Sequence, residues 1–473
     1  MAPNDDLTGP VTPLVHLTLA ERTELGKRAR ARVPRGLLAD YTPPADRPDP
    51  VELTSAQDGS RVPELVPIRY RRMLQNPFTF YRGSAEIMAS DLRDSPTTGL
   101  RVQLCGDAHL SNFGVYASRE RKLVFDVNDF DETLPGPWEW DVKRLVTSVE
   151  IMGRNNGFSA GQRRSACLAT ATAYRDWMAE YAQMPNLAVW YELIVVDDAL
   201  EGLAKASDVQ RSQVLKTREA LTRARTKDSL QALGKLTEVV DDRLRIKDDP
   251  PLLVRTATLA RGSMDEQQTH DFVANVLRQY RRSLPTDART LLESYQLVDT
   301  ARKVVGVGSV GTRCLIVLLK GRDDHDPFFL QIKEADRSVL EDHLPASTYT
   351  EHGRRVVEGQ RLMQAASDSF LGWTVAPDGT HYYWRQFKDM KGSVEIDGAP
   401  LDRLRRYASL CGWTLARAHA RSGDAAALAG YLGTGTVFDR AIAEFSVAYA
   451  DQNERDYQAF TAAVGDGRLP AHQ

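Results

Sequence analysis

The sequence predicts an α+β protein with two lobes, a large helical lobe and a small lobe built on an antiparallel sheet. Three observations support this prediction. Residues 105–131 combine a loop rich in Asp and Asn with short β-type runs. Residues 304–334 place a glycine-rich loop between two apolar strand-like runs and add a further strand. Between these blocks, residues 150–300 carry apolar residues mostly at helical spacing, including the stretch from Asp197 to Arg225.

The first block reads CGDAHLSNFGVYASRERKLVFDVNDFD, and its hairpin would bring Asn112 back towards Asp129. Phosphoryl transfer needs an oriented hydroxyl nucleophile and hard oxygen ligands for Mg²⁺. Asp107 is the candidate base, and Asn112 and Asp129 are candidate metal ligands. Four residues separate Asp107 from Asn112, the spacing of the base and the metal-binding Asn in the protein-kinase catalytic loop. The alternative is that these Asp and Asn residues only form turns.

The second block, VVGVGSVGTRCLIVLL, contains Gly306, Gly308, Ser309 and Gly311 in a G-x-G-x-x-G pattern. Glycine allows backbone amides to approach phosphate closely. A dinucleotide-binding motif would require a helix directly after the last glycine. Here the short apolar run from Cys314 predicts a strand. Strand, loop, strand is the arrangement in which kinases cover nucleotide phosphates.

The strand FFLQIKEA carries Lys333 in a context like the V-A-I-K strand of kinases, so Lys333 is the candidate phosphate clamp. The alternative is an exposed strand lysine. Its acidic partner is expected on the following helix, with Glu358 favoured over Glu351 and Glu341. The strand HYYWRQF then predicts a hinge near Gln386, where backbone groups would meet adenine.

The motif order is rotated relative to kinases, because the catalytic loop precedes the glycine loop and the lysine. We therefore expect a kinase-like fold with a circular permutation, which is tolerated where chain ends lie at the surface. The expected organisation is an N-terminal arm (1–66), a large catalytic-loop lobe with a helical insertion (67–298), a small nucleotide-binding lobe (299–390), and C-terminal helices completing the large lobe (391–473).

The whole chain resembles the bacterial family known as domain of unknown function 2252, which is grouped with protein-kinase-like folds. The matching stretches include RYRRMLQNPFTFYRG, CGDAHLSNFG, NDFDET, WEWDVKRL, GVGSVGTRC and LARAHARSGD. The form GDxHxxN also resembles aminoglycoside and choline kinases, which implies a small-molecule acceptor. By that resemblance His109 makes a structural hydrogen bond and Asp141 braces the catalytic loop.

Two positions depart from the kinase pattern, and one arginine extends it. Cys105 replaces the usual histidine and is expected to pack in the core. Asp131 replaces the glycine of Asp-Phe-Gly and is either a further metal ligand or a turn former. Arg82, in the aromatic run FTFYRG, could bind phosphate or an acidic substrate in a bidentate manner, or could be an ordinary surface or ion-paired arginine.

The leading hypothesis is an ATP- and Mg²⁺-dependent phosphotransferase with an unknown acceptor. Nucleotidyl transfer on the same scaffold and a nucleotide-binding pseudokinase are alternatives. A metallophosphatase ranks lower, because it would leave the glycine loop and Lys333 without a role. Fold analogy does not name the acceptor.

Composition excludes several partner classes. With 61 basic and 64 acidic residues, the formal charge is −3, so no global basic field attracts nucleic acid or anionic lipid. The four cysteines show no C-x-x-C spacing, and the start MAPNDDLTGP lacks a signal segment. No apolar run reaches the length of about 18 residues that a membrane helix needs. We therefore expect a cytoplasmic protein that contacts a nucleotide and an acceptor, but neither nucleic acid nor membrane.

Overall fold

The computed structural model describes residues 16–198, 201, 219, 221–222, 225, 229–241, 243–260, 266–323, 325–387 and 390–471. It is 52% helix and 15% strand with small antiparallel sheets, so the predicted α+β class is confirmed. Most of the helix predicted between Asp197 and Arg225, and the first 15 residues of the predicted arm, lie outside the described residues.

The helices and strands alternate in blocks along the chain. The α-helices of the described part are α1 (Leu19–Arg32), α2 (Pro50–Ala56), α3 (Val66–Met73), α4 (Pro77–Arg82), α5 (Ala85–Leu92), α6 (Trp138–Asn155), α7 (Ala160–Tyr181), α8 (Asn186–Tyr191), α9 (Ser229–Leu236), α10 (Thr256–Leu259), α11 (Glu266–Arg281), α12 (Thr286–Glu293), α13 (His352–Met363), α14 (Leu401–Ser422), α15 (Ala425–Leu432) and α16 (Val437–Gly465). The strands are β1 (Arg101–Leu104), β2 (Phe113–Ala117), β3 (Leu123–Val127), β4 (Leu134–Pro137), β5 (Thr237–Val240), β6 (Arg243–Ile246), β7 (Leu253–Arg255), β8 (Gln296–Lys303), β9 (Cys314–Lys320), β10 (Pro327–Glu334), β11 (Gly372–Val375) and β12 (His381–Gln386).

The largest sheet has six antiparallel strands in the order β11-β12-β10-β9-β8-β7. Its strand β10 is buried along its whole length, which explains why its sequence does not alternate between apolar and polar residues. Lys333 on β10 lies opposite Tyr383 on β12 and Cys314 on β9. The register therefore fixes the side chains that surround Lys333.

Both faces of this sheet are covered. Leu330 and Trp384 share a hydrophobic cluster with α11 and α12, while Phe329 and Ile316 share another with α9 and β6. The described segments between residues 229 and 293 thus pack on the small sheet. This differs from the predicted boundary at residue 298, because the helical pattern alone does not reveal which surface a helix covers.

The main core lies among the long helices α6, α7, α14 and α16. Trp138 stacks on Tyr174 with ring centroids 5.7 Å apart, and Trp177 stacks on Trp413 at 4.1 Å. Ala29 of α1 belongs to the same cluster and is 1% exposed. Helix α1 of the predicted N-terminal arm is therefore packed into the large lobe.

Helix α14, near the C-terminus, packs against residues 105–131, which we call the acidic loop. The Tyr407 hydroxyl donates to the carbonyl groups of Leu110, at 2.8 Å, and Phe113, at 3.0 Å. At the other end of the helix, the Ser422 hydroxyl accepts from the N–H of Gln103 at 3.2 Å. Residues almost 300 positions apart in the chain thus build one neighbourhood.

None of the helices in the described part of the chain is both long enough and apolar enough to cross a bilayer.

The ion pair between Arg417 of α14 and Asp126 of β3 provides a test of this packing, because both side chains are 1% exposed. Arg417→Met would leave the Asp126 carboxylate buried without its partner, which costs about 3–5 kcal/mol. The free energy of unfolding in urea should fall by that amount. Arg405→Met, which removes an exposed arginine 3.5 Å from Asp402, should change it by no more than about 0.5 kcal/mol. Equal effects of the two substitutions would contradict this account of the packing.

Candidate functional site

Most of the predicted site residues line one pocket of about 250 Å³. The acidic loop lines one part of it, and the glycine loop and the residues after β10 line another. The predicted residues in its lining are Arg82, Asp107, His109, Asn112, Asp129, Asp131, Gly306, Gly308 and Ser309. We refer to it as the candidate site pocket.

Asp141 of α6 holds the start of the acidic loop in place through two hydrogen bonds. Its carboxylate accepts from the backbone N–H groups of Cys105, at 2.8 Å, and Gly106, at 3.1 Å. His419 of α14 lies 3.3 Å from the same carboxylate. Asp141 lies outside the pocket lining and holds the loop in place, and Cys105 is buried in the core.

Asp107 is held in an ion pair. The Arg144 guanidinium of α6 donates to its carboxylate at 2.5 Å, and His109 Nε2 lies 3.5 Å from the other oxygen. Burial alone would raise the pKa of Asp107, but the positive charge of Arg144 outweighs it and lowers the pKa below its ordinary value. Asp107 is therefore ionised at neutral pH, with an orientation set by Arg144.

His109 is neutral, because burial lowers its pKa to about 3. Its Nδ1 accepts from the N–H of Ser111 at 3.1 Å, which leaves the proton on Nε2 and facing Asp107. Asn112 donates its side-chain amide to the carbonyl oxygen of Asp107 at 2.7 Å. The side-chain oxygen of Asn112 makes no hydrogen bond within the described part of the chain and remains free for a ligand.

Lys333 is 2% exposed, and its ammonium lies 2.5 Å from Asp131 and 3.7 Å from Asp129. The Tyr383 hydroxyl also donates to Asp131, at 2.6 Å. Burial alone would raise the pKa of Asp131, but Lys333 and Tyr383 lower it. The partner of Lys333 is thus Asp131, for which the sequence predicts either a metal ligand or a turn former.

Glu358, predicted as the acidic partner of Lys333, does not fill that role. It pairs with Arg361 at 3.4 Å and lines a separate cavity with Tyr349 and Gly359. Lys333 needs no glutamate from the helix, because Asp131 of the acidic loop already pairs with it. Gln386 also lies outside the candidate site pocket, and its N–H donates to Asp368 at 2.5 Å.

Asp129 carries the observation that points to a cation. Its Oδ1 is buried and accepts no hydrogen bond from the described residues, and Lys333 at 3.7 Å is too distant to donate one. Burial, followed by the nearby charge of Asp131, raises the pKa of Asp129. A buried carboxylate oxygen that accepts no hydrogen bond is costly, and a bound cation would remove that cost.

The residues of the pocket fit Mg²⁺, which usually keeps water and phosphate ligands, better than a metal whose ligands all come from the protein. No group of three or more His, Cys, Asp or Glu side chains among the described residues is arranged as a metal site. Asn112 and Asp129 would supply two oxygens, and phosphate oxygens and water would complete the set, as is usual for Mg²⁺.

The glycine loop between β8 and β9 is fastened by residues from the N-terminal part of the chain. Arg61 donates to the carbonyl of Gly308 at 2.9 Å, and the N–H of Val62 donates to Gly311 at 2.8 Å. The N–H groups of Gly308 and Ser309 donate to no acceptor among the described residues. Free backbone N–H groups beside a pocket can bind an anion.

Arg82, at the end of α4, lines the pocket beneath this loop. Its Nε is buried without an acceptor in the described part of the chain. Burial lowers the pKa of Arg82, and the carboxylates of Asp107 and Asp129 partly offset the shift. The guanidinium therefore offers unused donors to an anionic ligand in the pocket.

Three residues that shape the site are absent from the predictions made from the sequence: Arg61, Arg144 and Tyr383. Arg144 had a signal, because it follows Asp141 by three positions in WEWDVKRL and so shares a helix face with it. Tyr383 could have been found from the alternation of HYYWRQF once β12 was paired with β10. Arg61 had none, since it reaches a loop almost 250 positions away.

The model of one protein family, described as an uncharacterized protein conserved in bacteria (DUF2252), matches residues 61–463. The chain belongs to this family. The region matched to DUF2252 includes Arg61, the acidic loop, the glycine loop, Lys333 and α14. No curated protein and no solved structure matches the chain.

In this DUF2252 protein, substitution of Gly106 tests the geometry of the acidic loop. Its φ is +84°, and an added Cβ would lie 2.3 Å from the carbonyl oxygen of Glu132. Gly99 has a similar φ of +78° but no atom within 4 Å of such a Cβ. Gly99→Ala should lower the free energy of unfolding by only about 1–2 kcal/mol, the cost of placing an alanine in the left-handed conformation.

Gly106→Ala should cost clearly more than Gly99→Ala, because the clash with Glu132 adds to that penalty. Urea denaturation of the two variants measures the difference in free energy of unfolding. A loss for Gly106→Ala no larger than that for Gly99→Ala would show that the loop is not held as described.

Proposed function

We propose that this protein is an ATP- and Mg²⁺-dependent phosphotransferase with a kinase-like site and a small-molecule acceptor. The observation that carries the proposal is the convergence of Asp107, Asn112, Asp129 and the glycine loop on one pocket. Lys333 lies outside the pocket lining and is bound to Asp131, which is part of it. These are the residue types that phosphoryl transfer requires.

The order of elements in the small sheet supports a kinase-like lobe. A strand (β8), a glycine loop, a strand (β9), a lysine-bearing strand (β10) and a helix (α13) follow one another, as in the kinase nucleotide-binding lobe. The contacts of α14 with Leu110, Phe113 and Gln103 support a circular permutation, because this C-terminal helix lies beside the catalytic loop. Such a rearrangement preserves contacts while moving the chain ends.

Asp107 would orient the acceptor hydroxyl and accept its proton. Its lowered pKa makes it a weak base, which is compatible with a loose transition state in which positioning contributes more than proton abstraction. The Arg144 ion pair holds the carboxylate in one orientation. Asn112 is tied to Asp107 through its side-chain amide, so the base and the candidate metal ligand move together.

Lys333 remains protonated, because Asp129 and Asp131 raise its pKa although burial opposes them. An ammonium has three donors, so Lys333 can keep its bond to Asp131 and still donate to a phosphate oxygen. The N–H groups of Gly308 and Ser309 would donate to other phosphate oxygens. Asn112 and Asp129 would hold Mg²⁺, which when bound neutralises phosphate charge.

The test uses the full chain with Mg²⁺, ATP labelled on either the γ- or the α-phosphate, and a library of small hydroxyl and amine acceptors. We expect transfer of the γ-label to an acceptor, detected by mass spectrometry. Asp129→Asn and Lys333→Met should each lower this transfer on the order of 10²–10³-fold, the usual cost of removing one group that stabilises phosphoryl charge. Asp94→Asn, which changes an exposed carboxylate 3.0 Å from Arg93, should leave transfer unchanged.

Each other outcome is informative. Transfer of the α-label would identify a nucleotidyltransferase and overturn phosphoryl transfer. ATP binding without turnover would favour a pseudokinase. Phosphate release from phosphomonoesters without any nucleotide would favour a metallophosphatase. Full activity of Asp129→Asn would remove Asp129 from the site.

A further inference from the structure

A second cavity, of about 300 Å³, lies beside the β2–β3 hairpin. We call it the hairpin pocket; its charged and polar lining includes Arg119, Asn128, Ser367, Asp368, Arg385 and Lys391. It shares no lining residue with the candidate site pocket, although Asn128 lines one cavity and Asp129 the other. The proposed phosphotransferase chemistry does not use it.

The lining of the hairpin pocket is strongly cationic. Four basic residues, Arg119, Arg121, Arg385 and Lys391, and one acidic residue, Asp368, line this pocket. Arg119 also pairs with Asp287, which lies outside the lining. Asp368 already accepts the backbone N–H groups of Phe370, at 2.8 Å, and Gln386, at 2.5 Å. These two bonds hold the Asp368 carboxylate against the local backbone, and its charge also acts on Lys391.

Lys391 has no hydrogen bond or ion pair with any described residue. Burial, with the nearby charge of Arg385 as the next cause, lowers the pKa of Lys391 to about 7. Arg385 donates its Nε to Gln331 at 2.9 Å and its Nη1 to the carbonyl of Asn128 at 3.2 Å. A guanidinium has five N–H donors, so Arg385 is positioned by these two bonds and keeps others for a ligand.

Ser367 adds an independent observation. Its hydroxyl is buried at the pocket wall and has no hydrogen-bond partner among the described residues. Buried hydroxyl groups are usually paired, so this group is available to a ligand with acceptor oxygens. An unpaired lysine, a partly used guanidinium and an unpaired hydroxyl together suit an oxyanion.

This composition argues against the hairpin pocket as the adenine site, although Gln386, expected to lie near adenine, is in its lining. A neutral base binds between apolar and aromatic walls, whereas this cavity presents several cations. A ligand with two or more negative charges matches the cavity in charge and in hydrogen-bonding groups.

We propose that the hairpin pocket binds a small phosphorylated molecule through Lys391, Arg385 and Ser367, at a site separate from the candidate active site. The proposal stands independently of the phosphotransferase function, because it rests on different residues. Arg385, in the lining of the hairpin pocket, donates to the carbonyl of Asn128, the residue that precedes the candidate metal ligand Asp129.

The test is isothermal titration calorimetry of the full chain with pyrophosphate, in the presence of EDTA and without nucleotide. Lys391→Met should weaken binding about tenfold or more, the usual worth of a hydrogen bond to a charged group. Lys391→Arg should retain most of the affinity, because it keeps the positive charge. Ser367→Ala is a milder variant that should weaken binding without removing charge.

Two controls locate the bound anion. Lys122→Met removes an exposed lysine from the same hairpin and should not change binding. Arg82→Met removes a cation from the candidate site pocket, so it should weaken only a second pyrophosphate bound in that pocket and leave the Lys391-dependent binding unchanged. Undiminished binding by both Lys391→Met and Ser367→Ala, absence of pyrophosphate binding by the unmodified chain, or loss of all pyrophosphate binding in Arg82→Met would each overturn the proposal. The label-transfer assay reports on the phosphotransferase function separately, so the two proposals can fail independently.

Discussion

The ion pair between Lys333 and Asp131 is the interaction on which the candidate site depends. A lysine that is 2% exposed needs a partner, because a buried unpaired charge costs several kcal/mol. Asp131 supplies that partner from a loop some 200 positions earlier in the chain. Pairing the two fastens the acidic loop to the small sheet, and this places Asp129 beside the same ammonium.

The electrostatics of the pocket follow from that arrangement. One ammonium serves two carboxylates, and it lies closer to Asp131 than to Asp129. The pKa of Asp131 is accordingly lowered and that of Asp129 is raised. The unsatisfied oxygen of Asp129 is thus a consequence of how Lys333 is shared, and a divalent cation would complete the balance of charge.

The sequence predicted the local parts of this site well, because their geometry is encoded by neighbouring residues. The spacing of Asp107 and Asn112, the hairpin returning to Asp129, and the glycine loop between two strands all depend on short-range patterns. The strand character of the Lys333 segment was equally local. The α+β class followed from the same patterns.

Long-range pairings could not be obtained in this way. Analogy with kinases predicts Glu358 as the partner of Lys333, whereas the sequence predicts the actual partner, Asp131, only as a metal ligand or turn former. Tertiary contacts between distant segments determine two further features. These are the packing of the described segments between residues 229 and 295 on the sheet and the hydrogen bond from Arg61 to the glycine loop. A helical period reports that a face is apolar but does not identify what covers it.

The proposed nucleotide and metal site can be tested by a structure of the protein with Mg²⁺ and a non-hydrolysable ATP analogue. We expect the phosphates beneath Gly308 and Ser309, the metal between Asn112 and Asp129, and Lys333 within hydrogen-bonding distance of a phosphate oxygen and of Asp131. A nucleotide bound elsewhere with the candidate site pocket unoccupied, or a metal that contacts neither Asn112 nor Asp129, would contradict this expectation.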